Sequence, residues 1–174
     1  CAASLPASDQ TAAILAKLVV SSQPAPIRMA AFPAQVAAMG ERGPAAVLAA
    51  LTGGDAMMQR AAIRALQLNS QPALLRAAVQ RLEEFPAEVR ETIIALCGER
   101  GDVAARPAVT RAAASTDPGV KRAAIQALGW IGDAGTVKLL AELAGADSDD
   151  ERKSIVEALP RLRGRGTLRV VLAH

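Results

Sequence analysis

The sequence predicts an all-α fold of about five helix pairs stacked side by side, preceded by one unpaired helix. Three observations support this prediction. A short apolar motif recurs about every 31 residues, which is typical of an array of helical units. The chain is 51% apolar but only 2% aromatic, so its core must consist of Ala, Leu, Val and Ile, which suits close helix packing. Proline, glycine and capping residues stand where such helices would begin and end.

The repeated motif begins with a basic residue, followed by Ile or Val at the third position beyond it and by Ala and Leu at the fifth and sixth. On a helix the third and sixth positions lie close to one face, and the small Ala between them lets a second helix approach. The copies are 30, 32 and 31 residues apart and begin at Arg60, Arg90, Arg122 and Lys153. A degenerate copy begins at Arg28, where Phe32 and Pro33 interrupt the pattern and predict a kinked or differently packed helix.

A second amphipathic stretch lies between successive motifs, so each unit is predicted to be a helix pair. Asp117 before Pro118 is typical of a helix N-cap, and Ser148 with Glu151 is typical of a capping box. Helix ends are predicted at Gly40, Gly98 and Gly132. The predicted helices cover residues 9–21, 26–39, 44–52, 55–67, 71–83, 87–97, 102–114, 118–131, 133–144, 149–162 and 166–173.

We expect these helices to form one repeat domain over residues 1–174. Its predicted repeats cover residues 24–54, 55–86, 87–116, 117–147 and 148–174. The helix within residues 8–22 has no partner before it, and it is interpreted as a cap or as the remainder of a truncated repeat.

The stretch from Asp117 to Leu143, DPGVKRAAIQALGWIGDAGTVKLLAEL, resembles a consensus HEAT repeat of the short kind also found in phycobilisome-lyase-like proteins. The resemblance extends over about residues 24–163 and is strongest in the fourth unit. It implies a right-handed, armadillo-like α-α superhelix, in which the first helices lie outside and the second helices line a concave face. It also implies that the basic residue of the motif braces the adjoining repeat through loop residues such as Asp102 and Asp133. A ladder of phosphate-binding arginines is the alternative interpretation of that position.

The residues that most catalytic sites need are scarce. The only histidine is His174, at the C-terminal end, which argues against a histidine general base and against a His-rich metal site. Cys1 and Cys97 lack the spacing of a redox or zinc motif. The acidic run at 147–151 does not match a calcium loop and is interpreted as a helix cap. The sequence therefore predicts no enzyme, no cofactor and no metal.

The exposed positions of the second helices are the predicted binding residues, and five of the eight are basic: Arg76, Gln80, Arg106, Thr110, Arg111, Lys138, Glu142 and Arg169. They predict a non-catalytic scaffold that binds another protein, such as an extended acidic peptide, along the concave face. Trp130 is a further candidate, either as a partner anchor or as a residue packed on the neighbouring repeat. The alternative function is a HEAT-like lyase or a protein that binds or modifies nucleic acid through the basic groove.

The net charge of +3 is a weak field for this length, and the groove lacks aromatic residues for base stacking, so nucleic acid is disfavoured. No apolar run reaches the roughly 18–20 residues of a membrane span. Cys1 followed by Ala-Ala-Ser is how a mature lipoprotein would begin, so a lipid anchor at Cys1 is one alternative. The cytoplasm is the favoured compartment.

Overall fold

The computed structural model describes residues 7–20, 22–144 and 149–161. These residues form α-helices joined by short 3-10 turns and bends and contain no strand, which confirms the all-α prediction. The predicted helix over 166–173 lies outside them. The α-helices are α1 (Ala7–Val19), α2 (Ala25–Ala38), α3 (Gly43–Thr52), α4 (Ala56–Leu68), α5 (Pro72–Gln80), α6 (Ala87–Glu99), α7 (Arg106–Ala112), α8 (Pro118–Ile131), α9 (Ala134–Ala144) and α10 (Asp149–Ala158).

Two of the helix starts have clear local causes, and the sequence predicted the one at Asp117. The Asp55 carboxylate accepts hydrogen bonds from the Met57 and Met58 amides at 2.9 and 3.2 Å, which caps α4. Asp117 caps α8 by accepting from the Val120 amide at 3.0 Å. These carboxylates satisfy amides that have no partner within their own helices.

One prediction made from a single residue needs correction. Gly98 was expected to end a helix, but it lies inside α6, which continues to Glu99. Its missing side chain serves helix contact instead, because a Cβ atom there would lie 2.9 Å from the Ala127 Cα atom of α8. Pro33, which was expected to kink or repack α2, lies inside a helix that continues to Ala38.

The chain divides into two compact units, with the boundary between Phe85 and Pro86. In the first unit α2 packs against α1, α3 and α4, and α3 packs against α4 and α5. The core of this unit contains Phe32, Val36 and Leu51, all 4% exposed or less. None of the α1 side chains that the structure describes is buried, so these side chains contribute little to this core.

In the second unit α8 is central, because it packs against α6, α7 and α10, while α9 packs against α10. Seven residues of α8 are buried, and Ile125 and Leu128 are fully so. Contact between the first helices of successive pairs depends on glycine. A Cβ atom on Gly129 would lie 3.1 Å from the Ala158 Cα atom, and the Gly98 contact with Ala127 precedes this one by one repeat.

Burial repeats every 31 residues, and this corrects the register of the motif. One core position is occupied by Ala31, Ala62, Ile93, Ala124 and Ile155, all no more than 7% exposed. Arg90 therefore corresponds to Gln59 and Lys121, not to Arg60 and Arg122. The predicted copy that begins at Arg90 is one residue out of register, so its Ala95 is exposed. In α10 the Ile-or-Val position of the motif is not buried. Val156 is 66% exposed there, because Ile155 and Ala158 form the buried face of the helix.

Candidate functional site

Arg76 and Gln80 lie one turn apart on the exposed side of α5 in the first unit. The opposite side of α5 buries Leu74, Leu75 and Ala78. Arg76 makes no ion pair with any residue in the described part of the chain. Its charge is therefore available to a partner.

Arg106 does not have the solvated, uncompensated charge that we expected from the sequence. Its side chain is 28% exposed, and its Nη1 atom lies 2.6 Å from Oδ2 of Asp133. Its Nε atom also donates a hydrogen bond to the Ile131 carbonyl at 2.6 Å. Arg106 thus joins the start of α7 to the segment that connects α8 with α9.

The local cause is the position at which α7 begins. The sequence predicted a helix from residue 102, which would have placed Arg106 more than one turn inside it. Pro107 instead favours the first turn of a helix, so α7 begins at Arg106 after a 3-10 turn over Val103–Ala105. Arg106 consequently lies at the helix end, beside the neighbouring loop.

Asp133 forms the other half of this contact and caps α9. Its Oδ1 atom accepts hydrogen bonds from the Thr136 amide at 3.1 Å and from the Thr136 hydroxyl at 3.2 Å, and the Asp133 amide donates to that hydroxyl. The hydrogen bond from the Thr136 amide is the main reason that the pKa of Asp133 lies below its ordinary value; burial partly opposes it, and the Arg106 charge, a smaller effect than burial, lowers the pKa further. The carboxylate is therefore ionised at neutral pH and compensates Arg106.

Three other predicted residues of the second unit are exposed. Arg111 lies near the end of α7, while Lys138 and Glu142 lie one turn apart on α9. None of the three has an ion pair within 4.0 Å among the residues described. Thr110, beside Arg111 on α7, is half-buried, and Arg169 lies outside the described residues.

Trp130, near the end of α8, is partly packed and partly exposed. Its ring is packed at one edge, because a Cβ atom on Gly98 would lie 3.5 Å from the Trp130 Cδ1 atom. It is nevertheless 55% exposed. The Arg161 guanidinium carbon lies 5.2 Å from the ring centroid, which is within cation-π range. Arg161 therefore covers part of the exposed ring.

A family model of HEAT repeats matches residues 75–160, which include almost all of the described second unit and the end of α5. Residues 75–160 therefore belong to the HEAT-like repeat family. HEAT repeats are commonly protein-interaction scaffolds and are generally not enzymes. The match does not identify the phycobilisome-lyase-like subgroup. A search of the curated proteins finds no significant match.

The bracing role that the HEAT resemblance implied for the repeated arginines applies to Arg28. Its Nη1 atom lies 2.8 Å from Oδ2 of Asp55, the cap of α4. Asp133, however, is contacted by Arg106 of a second helix and not by a motif arginine. Arg60 and Arg122 are exposed. The repeated arginines are thus not equivalent, which disfavours a uniform phosphate-binding ladder.

The sequence contained one overlooked signal for the Arg106 contact. Arg106 and Asp133 are 27 residues apart, as are Arg28 and Asp55. A search for basic and acidic residues at that spacing would have found both pairs.

Among the described residues, none of the helices is long and apolar enough to cross a membrane.

Proposed function

We propose that this HEAT-repeat chain is a non-catalytic scaffold that binds an acidic or extended segment of another protein through its second helices, along the concave face that the HEAT resemblance implies. The observation that carries this proposal is the difference between the second-helix cations. Arg106 is compensated by Asp133, whereas Arg111 and Lys138 are exposed and form no ion pair with the described residues. Arg76 has the same uncompensated character in the first unit.

Uncompensated surface cations suit recognition of an acidic segment. Such charges cost little to maintain in water, and they attract an oppositely charged partner before contact is made. Glu142, one turn from Lys138, is the only acidic residue among the predicted second-helix positions. We expect it to help fix the register of the bound segment, because like charges placed opposite it would be repelled.

The ionisable groups support a non-catalytic role. A general acid or base works best when its pKa lies near the working pH. In the described part of the chain, the pKa values that depart from their ordinary values move away from neutral pH. Arg81 lowers the pKa of Glu84, and Arg28 lowers that of Asp55. Burial, with a smaller contribution from the nearby Asp102 charge, raises the pKa of the Cys97 thiol to about 12. None of these groups is tuned for proton transfer at neutral pH.

The proposal is tested with a partner captured from native lysate by cross-linking, identified by mass spectrometry and then purified. Its affinity is measured for the natural chain and for the double variant Arg111→Glu with Lys138→Glu. We expect the variant to bind about tenfold or more weakly, mainly through slower association and with a strong dependence on salt.

The matched control is Arg122→Glu with Lys153→Glu, which makes the same charge change at exposed positions of first helices. We expect binding of the control to stay within about twofold of the natural chain. Equal weakening in both variants would show that net charge, and not the second-helix surface, determines binding. Salt-sensitive capture of duplex DNA, or a bound pigment, would support the alternative function instead.

A further inference from the structure

A groove that the sequence did not reveal lies between α2 and α4 in the first unit. Its volume is about 940 Å³. The α2 wall consists of small or apolar residues, namely Pro26, Met29, Ala30, Pro33, Ala34 and Ala37. Residues from 26 to 37 span about 16 Å along a helix axis, so the groove follows about three turns of α2. The short alanine side chains leave space that larger residues would fill.

The α4 wall adds charge to this apolar surface. Arg60 and Arg64 both line the groove, both are exposed, and they lie one turn apart, with about 5–6 Å between their Cβ atoms. Neither forms an ion pair with a described residue, and none of the residues that line the groove is acidic. By contrast, Arg28 on α2 is compensated by Asp55. The groove therefore presents the apolar α2 wall opposite two uncompensated guanidinium groups on the α4 wall.

These walls favour a helical ligand over an extended one. An extended peptide needs partners for its backbone amides and carbonyls, but the middle turns of α2 and α4 use their own backbone groups within the helices. Polar lining residues other than the arginines are confined to positions 67 and 69–71, at one end of the groove. A helix satisfies the hydrogen bonds of its own backbone and can place apolar residues along the alanine-rich α2 wall.

We propose that the α2–α4 groove binds an amphipathic α-helix of a partner protein that carries two carboxylates one turn apart, aligned with Arg60 and Arg64. This inference rests on the proposed scaffold function because both require a protein ligand, but it uses a different surface. The groove residues lie between 26 and 71, whereas the decisive cations of the scaffold proposal, Arg111 and Lys138, lie in the second unit. Either surface can therefore fail without the other.

The test is selection of a displayed library of random peptides, each about 16 residues or four helical turns long, against the whole chain. We expect the selected peptides to have apolar residues at helical spacing and acidic pairs three or four positions apart. The peptides should gain helical circular dichroism at 222 nm on binding. Selected peptides that lack acidic pairs, or that bind without becoming helical, would overturn the proposal.

Variants then locate the binding site. Arg60→Glu with Arg64→Glu should weaken binding of the selected peptides by about tenfold or more. Ala34→Trp should also abolish measurable binding by filling the groove, and Ala34 is exposed, so the substitution spares the core. Arg42→Glu, an exposed charge reversal on the 3-10 turn before α3 and outside the groove, is the control and should change affinity by less than about twofold. Thermal melting of each variant checks that it folds.

Three results would reject the proposed occupant. Selected peptides could bind the groove variants as well as the natural chain, which would place them elsewhere. Selection could yield no specific peptide. Oleate could instead bind the natural chain and fail to bind Ala34→Trp, while no helical peptide binds the natural chain. That result would identify the groove as a site for an amphipathic lipid anion. If Arg111→Glu with Lys138→Glu still weakens binding of the captured partner, the scaffold function survives each of these outcomes.

Discussion

Arg106 and Asp133 form an ion pair 27 residues apart in the sequence, with 2.6 Å between Nη1 and Oδ2. Arg28 and Asp55 form a pair with the same separation, at 2.8 Å. In both pairs the arginine contacts a carboxylate that also caps a later helix, α9 in one case and α4 in the other. One pair joins second helices and the other joins first helices. The helix cap therefore also serves as the point of attachment between successive pairs.

The Arg106 contact should contribute measurably to stability. Arg106→Ala removes an ion pair and a hydrogen bond to a backbone carbonyl, so we expect it to lower the free energy of unfolding by roughly 1 kcal/mol. Arg111→Ala is the control on the same helix, because Arg111 is exposed and has no ion-pair partner among the residues described. Urea denaturation compares the two variants. Equal stability would show that the contact with Asp133 has no net value.

Asp55 should make the first unit sensitive to acid. The Arg28 contact, followed by the hydrogen bond from the Met58 amide, holds the pKa of Asp55 below its ordinary value. The folded chain thus takes up this proton at lower pH than the unfolded chain, whose Asp pKa is about 3.9. The contribution of Asp55 to the free energy of unfolding is complete above this unfolded-state pKa. It is lost as the pH falls through the lowered pKa of the folded chain.

The measurement is the melting temperature as a function of pH for the natural chain and for Asp55→Asn. We expect the variant to be less stable at neutral pH and to lose less stability on acidification, because it has no carboxylate to protonate. The Asn side chain can still accept the cap hydrogen bonds. Parallel melting curves for the two proteins between neutral pH and about pH 3 would argue against this role of Asp55.

Helix positions were predictable because their causes are local. Asp117 with Pro118 predicted the start of α8 correctly, since capping and proline geometry depend on adjacent residues. The register of the motif was less predictable, because the copy at Arg90 has isoleucine at two adjacent positions, Ile93 and Ile94. Both are buried, so composition alone could not show which of them corresponds to Ile125.

The state of individual charges was the least predictable feature. Arg106 and Arg111 are both basic residues of α7, yet only Arg106 is compensated. The difference depends on whether a loop from the next helix pair comes within about 3 Å, which is a tertiary relationship. The α2–α4 groove is similar, because alanine at positions 30, 34 and 37 predicts close packing as readily as an open groove.

Gly98 should resist substitution despite its position inside a helix. Alanine in a helix is ordinarily favoured over glycine by about 1 kcal/mol. At Gly98 the added Cβ atom would lie 2.9 Å from the Ala127 Cα atom, so α6 and α8 would have to separate. We expect Gly98→Ala to destabilise the chain by about 1–3 kcal/mol. Gly54→Ala is the control, because no atom lies within 4 Å of its added Cβ, and a stabilised Gly98→Ala would refute the close contact.

Leu128 should contribute much of the stability of the second unit. It is fully buried on α8, the central helix of that unit. We expect Leu128→Ala to lower the free energy of unfolding by roughly 2–5 kcal/mol through lost burial and a residual cavity. Lys138→Ala at an exposed position should change it by less than about 0.5 kcal/mol. Comparable losses of thermal stability in the two variants would mean that the helices face differently.

Cys97 should behave as an inert thiol in the folded protein. Its side chain is fully buried, and burial, assisted by the nearby Asp102 charge, raises its pKa to about 12. Because the thiolate is the reactive form, little of it is present even at pH 9. The measurement uses Cys1→Ser, in which Cys97 is the remaining cysteine. We expect Ellman's reagent to react slowly with this variant in buffer and rapidly in urea, where the thiol pKa returns to about 8.5. Between pH 7 and pH 9 the native reaction should stay far slower than the reaction in urea, because labelling requires the chain to open. Native labelling as rapid as labelling in urea would show a solvent-accessible thiol, and with it an α6–α8 core that is open around Cys97.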